Sequence, residues 1–323
     1  MITKRAYLTE KGNFTIQEVD LKPKADEILI KVAICGLCNW ELNFWKSNGG
    51  MYSEYPALLG HEWSGEVIEV GEAVTKFKVG DKVTSYEYGG FGEYNVAKEC
   101  MCYKVEADVK YENAMGEPIK CISTVLTAAA PRVGDTGVVL GCGAMGQWCI
   151  QSLAGGSLSN LIAIDIDDKK LEIAKKHGAT HVINSKNEDA YAKVAEITGG
   201  SMADFIIEGT GVPEVLNTAA EYLREKGRLI LMSSHERCAK EFNFSPIFLK
   251  GITLYGASPA LSLDPEDDLK RGTVLINSGK INNDLLISHR FDLKDINKAF
   301  DTLDNKPSDY IKGIVVCNPD MLK

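Results

Sequence analysis

A glycine-rich segment, Gly141–Gly146, is the feature that most constrains how this chain folds. The apolar, β-branched run Thr136–Leu140 precedes it and is typical of a buried parallel strand. A helix-forming stretch from Gln147 follows, and a second apolar strand, Leu161–Ile164, leads directly into Asp165. Strand, glycine turn, helix, strand and acid in this order predict the start of a doubly wound parallel sheet.

The glycine turn predicts a binding site for the pyrophosphate of a dinucleotide. Its first glycine permits a tight turn, the second lets backbone approach the phosphates, and the third lets helix and strand pack closely. The helix N-terminus adds N–H groups and a positive dipole end. The alternative is an ordinary strand-to-helix turn, because glycine-rich turns are common. The expected cofactor-binding residues of this turn are Gly141, Gly143, Ala144, Met145 and Gly146.

The acid after the second strand favours NAD(H) over NADP(H). A carboxylate at Asp165 can accept hydrogen bonds from both ribose hydroxyls and would repel a 2′-phosphate. The following residues, Ile166–Asp168, add negative charge and no arginine. The alternative role for Asp165 is to cap the helix that begins near Asp167.

Length and composition narrow the class of protein. A chain of 323 residues is long for one hydrophobic core, so we expect two domains. No apolar stretch approaches the ~20 residues of a membrane span, and a net charge of −9 disfavours nucleic acids and anionic membranes as partners. Nine cysteines without a signal-peptide pattern indicate a reducing compartment, and we expect a cytoplasmic protein.

Strand and helix patterns divide the chain. Residues 1–117 are rich in strand and turn signals, whereas strands alternate with helices from Asp135 to about Gly256. The final ~65 residues predict two short helices and a closing strand. In the alternating part, the expected elements are strands Gly137–Leu140, Leu161–Ile164, His181–Ile183, Phe205–Glu208, Arg228–Met232 and Thr253–Tyr255, and helices Asp168–His177 and Val212–Leu223.

Metal-ligand residue types lie upstream of the glycine turn. Cys35 and Cys38 are followed by the pair His61-Glu62, and Glu117 precedes a proline near the start of the alternating part. Thiolate, imidazole and carboxylate together suit Zn²⁺. The alternatives are a buried structural cysteine for Cys35, a core histidine for His61 and an ordinary domain-edge carboxylate for Glu117.

The whole chain resembles the zinc-dependent alcohol and polyol dehydrogenases of the medium-chain dehydrogenase/reductase superfamily. Cys38–Glu41 resembles the zinc-cysteine segment of that family, and Gly60–Gly71 resembles its Gly-His-Glu signature. Val79–Val83 is similar to the Gly-Asp-x-Val turn that follows the signature. Glu117-Pro118 resembles the acidic-ligand version found in the polyol dehydrogenases.

The resemblance implies a Rossmann-type NAD-binding domain over residues 120–259 and a mostly β, GroES-like catalytic domain over residues 1–119 and 260–323. It implies that zinc activates the substrate oxygen while a hydride passes between substrate and nicotinamide. It places Lys170 and Lys312 at the cofactor, with Lys312 reaching the phosphates. The implied metal ligands are Cys38, His61, Glu62 and Glu117, and the implied catalytic residues are Cys38, His61, Glu62 and Glu41.

Two departures from the family stand out. Trp40 and Asn43 occupy the positions where the family usually has a proton-relay hydroxyl and histidine, and neither is an ordinary relay group. The proton therefore needs a water or one of Glu41, Glu62 and Glu117. The region that holds a second, four-cysteine zinc site in many relatives has no cysteine here, so we expect one catalytic and no structural zinc.

The expected function is the interconversion of a secondary alcohol and a ketone with NAD(H). A polyol, cyclitol or sugar alcohol is the expected substrate, phosphorylated or not, and a homodimer or homotetramer is the expected assembly. Aromatic residues near the ligands predict a substrate cleft or, alternatively, core packing; they are Trp40, Phe44, Trp45 and Trp63. The alternative functions are a zinc-independent quinone or enone reductase of the same fold and a non-catalytic NAD-binding sensor.

Overall fold

Two compact units make up the chain. The structure, a computed structural model, describes residues 1–47, 54–235, 238–258 and 262–323. One unit, here the β-rich unit, comprises Met1–Lys120 and Leu269–Lys323, and the other, the α/β unit, comprises Cys121–Asp268. The expected domain boundary between residues 259 and 260 lies outside the described residues.

The strands and helices have the following bounds. The strands are β1 (Ile2–Glu10), β2 (Asn13–Asp20), β3 (Glu27–Gly36), β4 (Trp63–Val70), β5 (Lys82–Ser85), β6 (Tyr94–Lys98), β7 (Cys102–Val105), β8 (Thr136–Leu140), β9 (Asn160–Asp165), β10 (His181–Asn184), β11 (Ala203–Glu208), β12 (Leu223–Leu231), β13 (Thr253–Gly256), β14 (Ile287–Asp292) and β15 (Lys312–Val316). The helices are α1 (Asn39–Lys46), α2 (Gly116–Ala129), α3 (Ala144–Leu153), α4 (Asp168–Lys176), α5 (Ala190–Ile197), α6 (Val215–Tyr222), α7 (Ser245–Lys250), α8 (Pro265–Asn277) and α9 (Ile296–Asn305). Over the described ranges, none of these helices has the length and apolarity needed to span a bilayer.

The α/β unit contains a parallel sheet with the strand order β10-β9-β8-β11-β12-β13. Each neighbouring pair runs parallel, and β8 is buried along its whole length, as its β-branched sequence requires. This is the strand order of a Rossmann fold, in which the direction of winding reverses between β8 and β11. The predicted doubly wound sheet is confirmed.

The predicted strands of this unit are confirmed, and one strand and one helix begin three or more residues from the expected positions. Strand β12 begins at Leu223, five residues before the expected start at Arg228. Helix α6 begins at Val215 rather than Val212, because Gly211 has a left-handed φ of 71° and Pro213 follows it. These backbone features delay the start of the helix.

The β-rich unit contains a mostly antiparallel sheet. Its path is β14-β15-β3-β4-β5-β7, with β6 also paired to β3, and β1 and β2 form a separate hairpin. Strand β14 is an element that the sequence pattern did not predict; it pairs parallel with β15. Phe14, Phe91 and Phe300 meet in the core, with the rings of Phe14 and Phe300 4.7 Å apart, so α9 is packed against the strands.

The glycine turn between β8 and α3 has the geometry that its sequence predicts. Gly141 has a φ of 94°, which favours glycine. A Cβ at Gly146 would overlap the carbonyl oxygen of Gly141, so the third glycine is required by close packing. A Cβ at Gly143 would have no described atom within 4 Å. The backbone at Gly143 therefore lies beside open space, where a ligand can approach it.

Gly146→Ala is expected to destabilise the α/β unit by about 1–3 kcal/mol, because the added methyl overlaps the turn backbone. Gly143→Ala is the matched control, since its methyl meets no described atom, and it should change stability by less than about 0.5 kcal/mol. Urea unfolding followed by circular dichroism measures both. Equal stability of the two variants would contradict the packing role of Gly146.

Candidate functional site

The pairing of β3 with β4 brings the expected metal ligands together. Cys35 on β3 lies opposite Trp63 on β4, and the N–H of Gly36 donates to the carbonyl of Glu62 at 2.8 Å. Because Cys38 follows β3 and His61 precedes β4, this register places both at the same end of the strand pair. One ligand atom each of Cys38, His61 and Glu62 lies within 4.8 Å of the other two. We call these three residues the metal cluster.

The carboxylate of Glu41 fixes the orientation of His61. Glu41 lies in the first turn of α1 and is completely buried. Its Oε1 accepts a hydrogen bond from the N–H of Gly60 at 2.6 Å and lies 2.8 Å from His61 Nδ1. A carboxylate oxygen can only accept here, so Nδ1 carries the hydrogen and Nε2 is the nitrogen that could bind a metal. Glu41 therefore supports the metal cluster through His61.

Lys312 is buried beside the metal cluster. Its buried Nζ forms an ion pair with Glu62 Oε2 and donates to the carbonyl of Leu37 at 2.9 Å. Gly36 makes room for this arrangement, because a Cβ there would overlap the same Glu62 oxygen. The sequence resemblance assigned Lys312 to the cofactor phosphates, whereas the structure gives its ammonium a carboxylate partner within its own unit.

Glu117 approaches the metal cluster from the first turn of α2. Its Oε2 lies 3.8 Å from His61 Nε2, and its Oε1 lies 3.7 Å from the ammonium of Lys120. Lys120 is buried and its Nζ lies 4.8 Å from the ring centre of Tyr86. Sequence reasoning did not single out Lys120, although its i,i+3 spacing from Glu117 within one helix is a signal for this pair.

Burial and the neighbouring charges act against each other at these groups. Burial disfavours a charged imidazole, but Glu41 and Cys38 outweigh it and raise the pKa of His61 well above its ordinary value. Burial opposes the charge of Glu62, but Lys312 outweighs it and lowers the pKa of Glu62. Burial raises the pKa of the Cys38 thiol, and Glu62 adds to this effect. The surroundings are strongly negative, which favours a cation.

The metal cluster fits a zinc ion. It offers a sulfur, an imidazole nitrogen and a carboxylate oxygen, which is the mixed donor set that zinc accepts. Glu41 Oε2 is buried and has no hydrogen-bond partner among the described residues. A buried unpaired carboxylate oxygen is unfavourable, and a nearby divalent cation offsets its charge. Cys35, by contrast, is wholly buried and its thiol donates to the carbonyl of Gly36, as expected for a structural cysteine.

The four aromatic residues near the ligands have different environments. Trp63 is buried and its indole N–H donates to the carbonyl of Glu87. Trp45 packs on the core ring of Phe300. Trp40 is 44% exposed, and its ring lies edge-on to that of Phe44. Trp40 and Phe44 are therefore the members that can contact a substrate.

The carboxylate of Asp165 stabilises the glycine turn through hydrogen bonds. Its Oδ2 accepts from the N–H of Cys142 at 2.6 Å, and its Oδ1 accepts from the N–H groups of Ile166 and Asp167. The cap of α4 is Asp167, whose side chain accepts from the N–H of Lys169, so the capping alternative for Asp165 is wrong. A carboxylate can accept several hydrogen bonds, so these contacts leave capacity for ribose hydroxyls.

The other residues expected to bind the cofactor lie in or near the same turn. Ala144 and Met145 begin α3, where backbone N–H groups have no partner within the helix. Lys170 lies in α4, and its ammonium is close enough to Cys142 to act on the thiol electrostatically. Gly209 and Thr210, which follow β11, would contact a Cβ at Gly141. The turn thus lies where β8 and β11 diverge, the usual place for a ligand in such sheets.

Glu41→Gln is expected to weaken zinc affinity about tenfold, and Glu41→Ala by up to about a hundredfold, because the charge that orients His61 is removed. Competition with a chromogenic zinc chelator measures the affinity. Glu69→Gln, an exposed carboxylate on β4, is the matched control and should leave the affinity unchanged. Unaltered zinc affinity in both Glu41 variants would contradict the supporting role of Glu41.

Two family models match the chain, one in each part of the sequence. Residues 24–107 match the alcohol dehydrogenase GroES-like domain, and residues 144–267 match the zinc-binding dehydrogenase domain. The first range holds Cys38, His61 and Glu62, and the second begins at the helix after the glycine turn.

Similar proteins span nearly the whole chain. A sorbitol dehydrogenase of Halalkalibacterium halodurans is 27% identical, covering 94% of this chain and 96% of the relative. An L-threonine 3-dehydrogenase of Pyrococcus abyssi is 30% identical, covering 90% of each chain. The crystal structure of 2R,3R-butanediol dehydrogenase from Bacillus subtilis superposes with a TM-score of 0.84 at 26% identity, covering 98% of this chain and 100% of that one. Together with the two domain matches, these relatives show that the chain belongs to the zinc-dependent alcohol and polyol dehydrogenases of the medium-chain dehydrogenase/reductase superfamily.

Proposed function

We propose that the protein interconverts a secondary alcohol of a polyol and the corresponding ketone, using NAD(H) and one zinc ion per chain. The observation that carries the proposal is the convergence of Cys38, His61 and Glu62 within 4.8 Å, with His61 oriented by Glu41. Zinc supplies a Lewis acid for the substrate oxygen when it is bound. Names of relatives point to the substrate class, since sorbitol and butanediol both carry secondary hydroxyls.

The three residues of the metal cluster have separate tasks in this proposal. Cys38 and His61 hold the ion, and Glu62 is the third ligand. The ammonium of Lys312 partly compensates the negative charge of Glu62. Glu117 completes the ligand set from α2 or holds a water beside it, since its carboxylate is 3.8 Å from His61 Nε2. No cysteine lies between Tyr86 and Tyr94, which supports a single, catalytic zinc.

We place the proton exit at Glu117. Glu41 is completely buried and its Oε1 is engaged by Gly60 and His61, while Glu62 is paired with Lys312. The Glu117 side chain retains 14% of its exposure, so it can order a water that reaches solvent. Glu117 would then do the work of the family's proton-relay hydroxyl and histidine, whose positions are occupied here by Trp40 and Asn43.

NAD(H) is the proposed cofactor because of the charges near the end of β9. Asp165 lies at the expected ribose position, and Asp167 and Asp168 follow it. A 2′-phosphate at this position would meet negative charge without an arginine to pair with it. The open space beside Gly143 suits the pyrophosphate.

Cys38→Ala and His61→Ala should lose both zinc and turnover, with kcat/KM falling by about a thousandfold, because the Lewis acid is worth several kcal/mol in the transition state. A panel of polyols with NAD⁺ and NADP⁺, with zinc measured in parallel, provides the readout. Cys100→Ala, an exposed cysteine, is the control. Full turnover by metal-free protein would contradict the proposal, and zinc-free quinone reduction would support the reductase alternative instead.

We propose a homodimer formed through β13. This strand is at one edge of the sheet, and all four of its residues are exposed. Leu254 on β13 and Phe248 on α7 are exposed, the latter by 83%. An exposed edge strand flanked by apolar side chains is suited to pairing with the same strand of a second copy.

Leu254→Lys should convert the dimer to a monomer, because a charge on the pairing edge must be desolvated in the interface. Size-exclusion chromatography with light scattering measures the mass. His181→Lys, on the opposite edge strand β10, is the control and should remain dimeric. A wild-type protein that is monomeric at micromolar concentration would contradict the proposed assembly.

A further inference from the structure

Two partly exposed aromatic residues border the metal cluster, and we call them the aromatic rim. Trp40 lies two residues after Cys38, and Tyr88 follows β5. The Tyr88 ring lies edge-on to the His61 ring, with centroids 5.4 Å apart and an interplanar angle of 79°. Trp40 is 44% exposed and Tyr88 is 41% exposed. Both side chains therefore adjoin the cluster and remain accessible to a small molecule.

The side chain of Trp40 lies near enough to the hydroxyl of Tyr88 to lower the pKa of that phenol as a hydrogen-bond donor does, although burial raises it overall. An indole N–H can only donate, so Trp40 donates to the phenolic oxygen of Tyr88. A phenol both donates and accepts, and its acceptor side is turned toward Trp40. The O–H of Tyr88 is thereby oriented as a donor. Trp40, at the position where the family has its relay hydroxyl, thus orients a different hydroxyl group.

Backbone contacts hold Tyr88 beside His61. The carbonyl of Tyr88 accepts from the side-chain amide of Asn95 at 3.1 Å. The N–H groups of Gly89 and Gly90 donate to the carbonyls of Leu59 and Gly60 at 3.0 and 2.8 Å. The segment that carries Tyr88 is therefore bonded to the segment that ends in His61. The phenol is positioned by the same backbone as the metal-binding imidazole.

We propose that Tyr88, oriented by Trp40, donates a hydrogen bond to a second substrate oxygen next to the one at the metal cluster, which makes the enzyme selective for vicinal diols. This inference rests on the proposed function. Because the Tyr88 ring packs directly on His61, the second oxygen must lie close to the first along the substrate chain. A site built to bond a substrate hydroxyl discriminates against analogues that lack it.

The hydroxyl of Tyr88 is not explained by packing. A phenylalanine would make the same edge-on contact with His61, and a ring that is 41% exposed contributes little to a core. Trp40 is in a similar position, since a phenylalanine there would keep the ring contact with Phe44 and lose only the N–H donor. The polar atoms of the rim are therefore the part that a substrate can use.

The test compares butane-2,3-diol with butan-2-ol, which share a carbon skeleton and differ by one hydroxyl. The measured quantity is kcat/KM for the diol divided by kcat/KM for the mono-alcohol. Tyr88→Phe should lower this ratio about tenfold, which is the effect expected from the loss of one hydrogen bond. The loss should appear mainly as a higher KM for the diol. Trp40→Phe should lower the same ratio by a smaller factor, because it leaves the phenol in place but unoriented.

A binding measurement separates this inference from the proposed function. Titration of the zinc-loaded protein with each alcohol, followed by tryptophan fluorescence, gives the ratio of dissociation constants without turnover. The diol should bind more tightly than the mono-alcohol. Tyr88→Phe should reduce this difference in dissociation constants about tenfold. Tyr191→Phe, which deletes an exposed phenol on α5, is the matched control and should keep the wild-type ratio.

The outcomes are distinct. Absence of turnover with every alcohol in the wild-type protein would contradict the proposed function, while the ratio of dissociation constants would still decide the role of Tyr88. An unchanged ratio in Tyr88→Phe, or an equal loss for both alcohols, would overturn the diol-selecting role. A falling ratio in Tyr191→Phe would show that the effect is not specific to the rim, which also overturns it.

Discussion

The hydrogen bond between Glu41 and His61 is the contact on which the metal cluster depends. It determines which imidazole nitrogen faces the ligand atoms of Cys38 and Glu62, and it ties α1 to the segment before β4 through Gly60. A carboxylate is costly to bury, and this one is held by a backbone N–H and an imidazole. The fold thus accepts an unfavourable burial to keep the cluster in one arrangement.

A second buried pair, Lys312 with Glu62, links the cluster to β15. Strand β15 pairs with β3, which leads to Cys38, so these two neighbouring strands position Lys312 and Cys38. The site is therefore built on the sheet and α1 rather than on a self-contained loop. Such rigid support keeps ligands within the small tolerances that metal chemistry requires.

Sequence reasoning predicted the parts of the fold that repeat a strong pattern. The glycine turn and the β-branched strands gave the parallel sheet, because buried strands and tight turns each demand particular residue types. Strand β14 was missed because only two of its six residues, Ile287 and Phe291, are buried, and its pairing with β15 stabilises it. Local sequence carries little signal for a strand that is defined by its neighbour.

The candidate site was predictable in part for a similar reason. Cys38, His61 and Glu62 lie in motifs with recognisable spacing, and the structure brings them together. Tyr88 carries no such signal, because its approach to the site results from the pairing of two loop segments. Lys120 carries a weak one, its i,i+3 spacing from Glu117 on the same helix. The partner of Lys312 was unforeseen, since an ion pair across 250 residues leaves no trace in sequence spacing.

The lysines beside the cluster have a consequence for which ions the site accepts. Among the described residues, four groups carry negative charge when Cys38 is a thiolate; the other three are the carboxylates of Glu41, Glu62 and Glu117. Two carry positive charge, the ammonium groups of Lys120 and Lys312. A divalent ion makes this buried assembly electrically neutral. A monovalent ion would leave one uncompensated charge out of water, and a trivalent ion would create the opposite excess. The two ammonium groups thus make the charge of the cluster suited to a divalent ion.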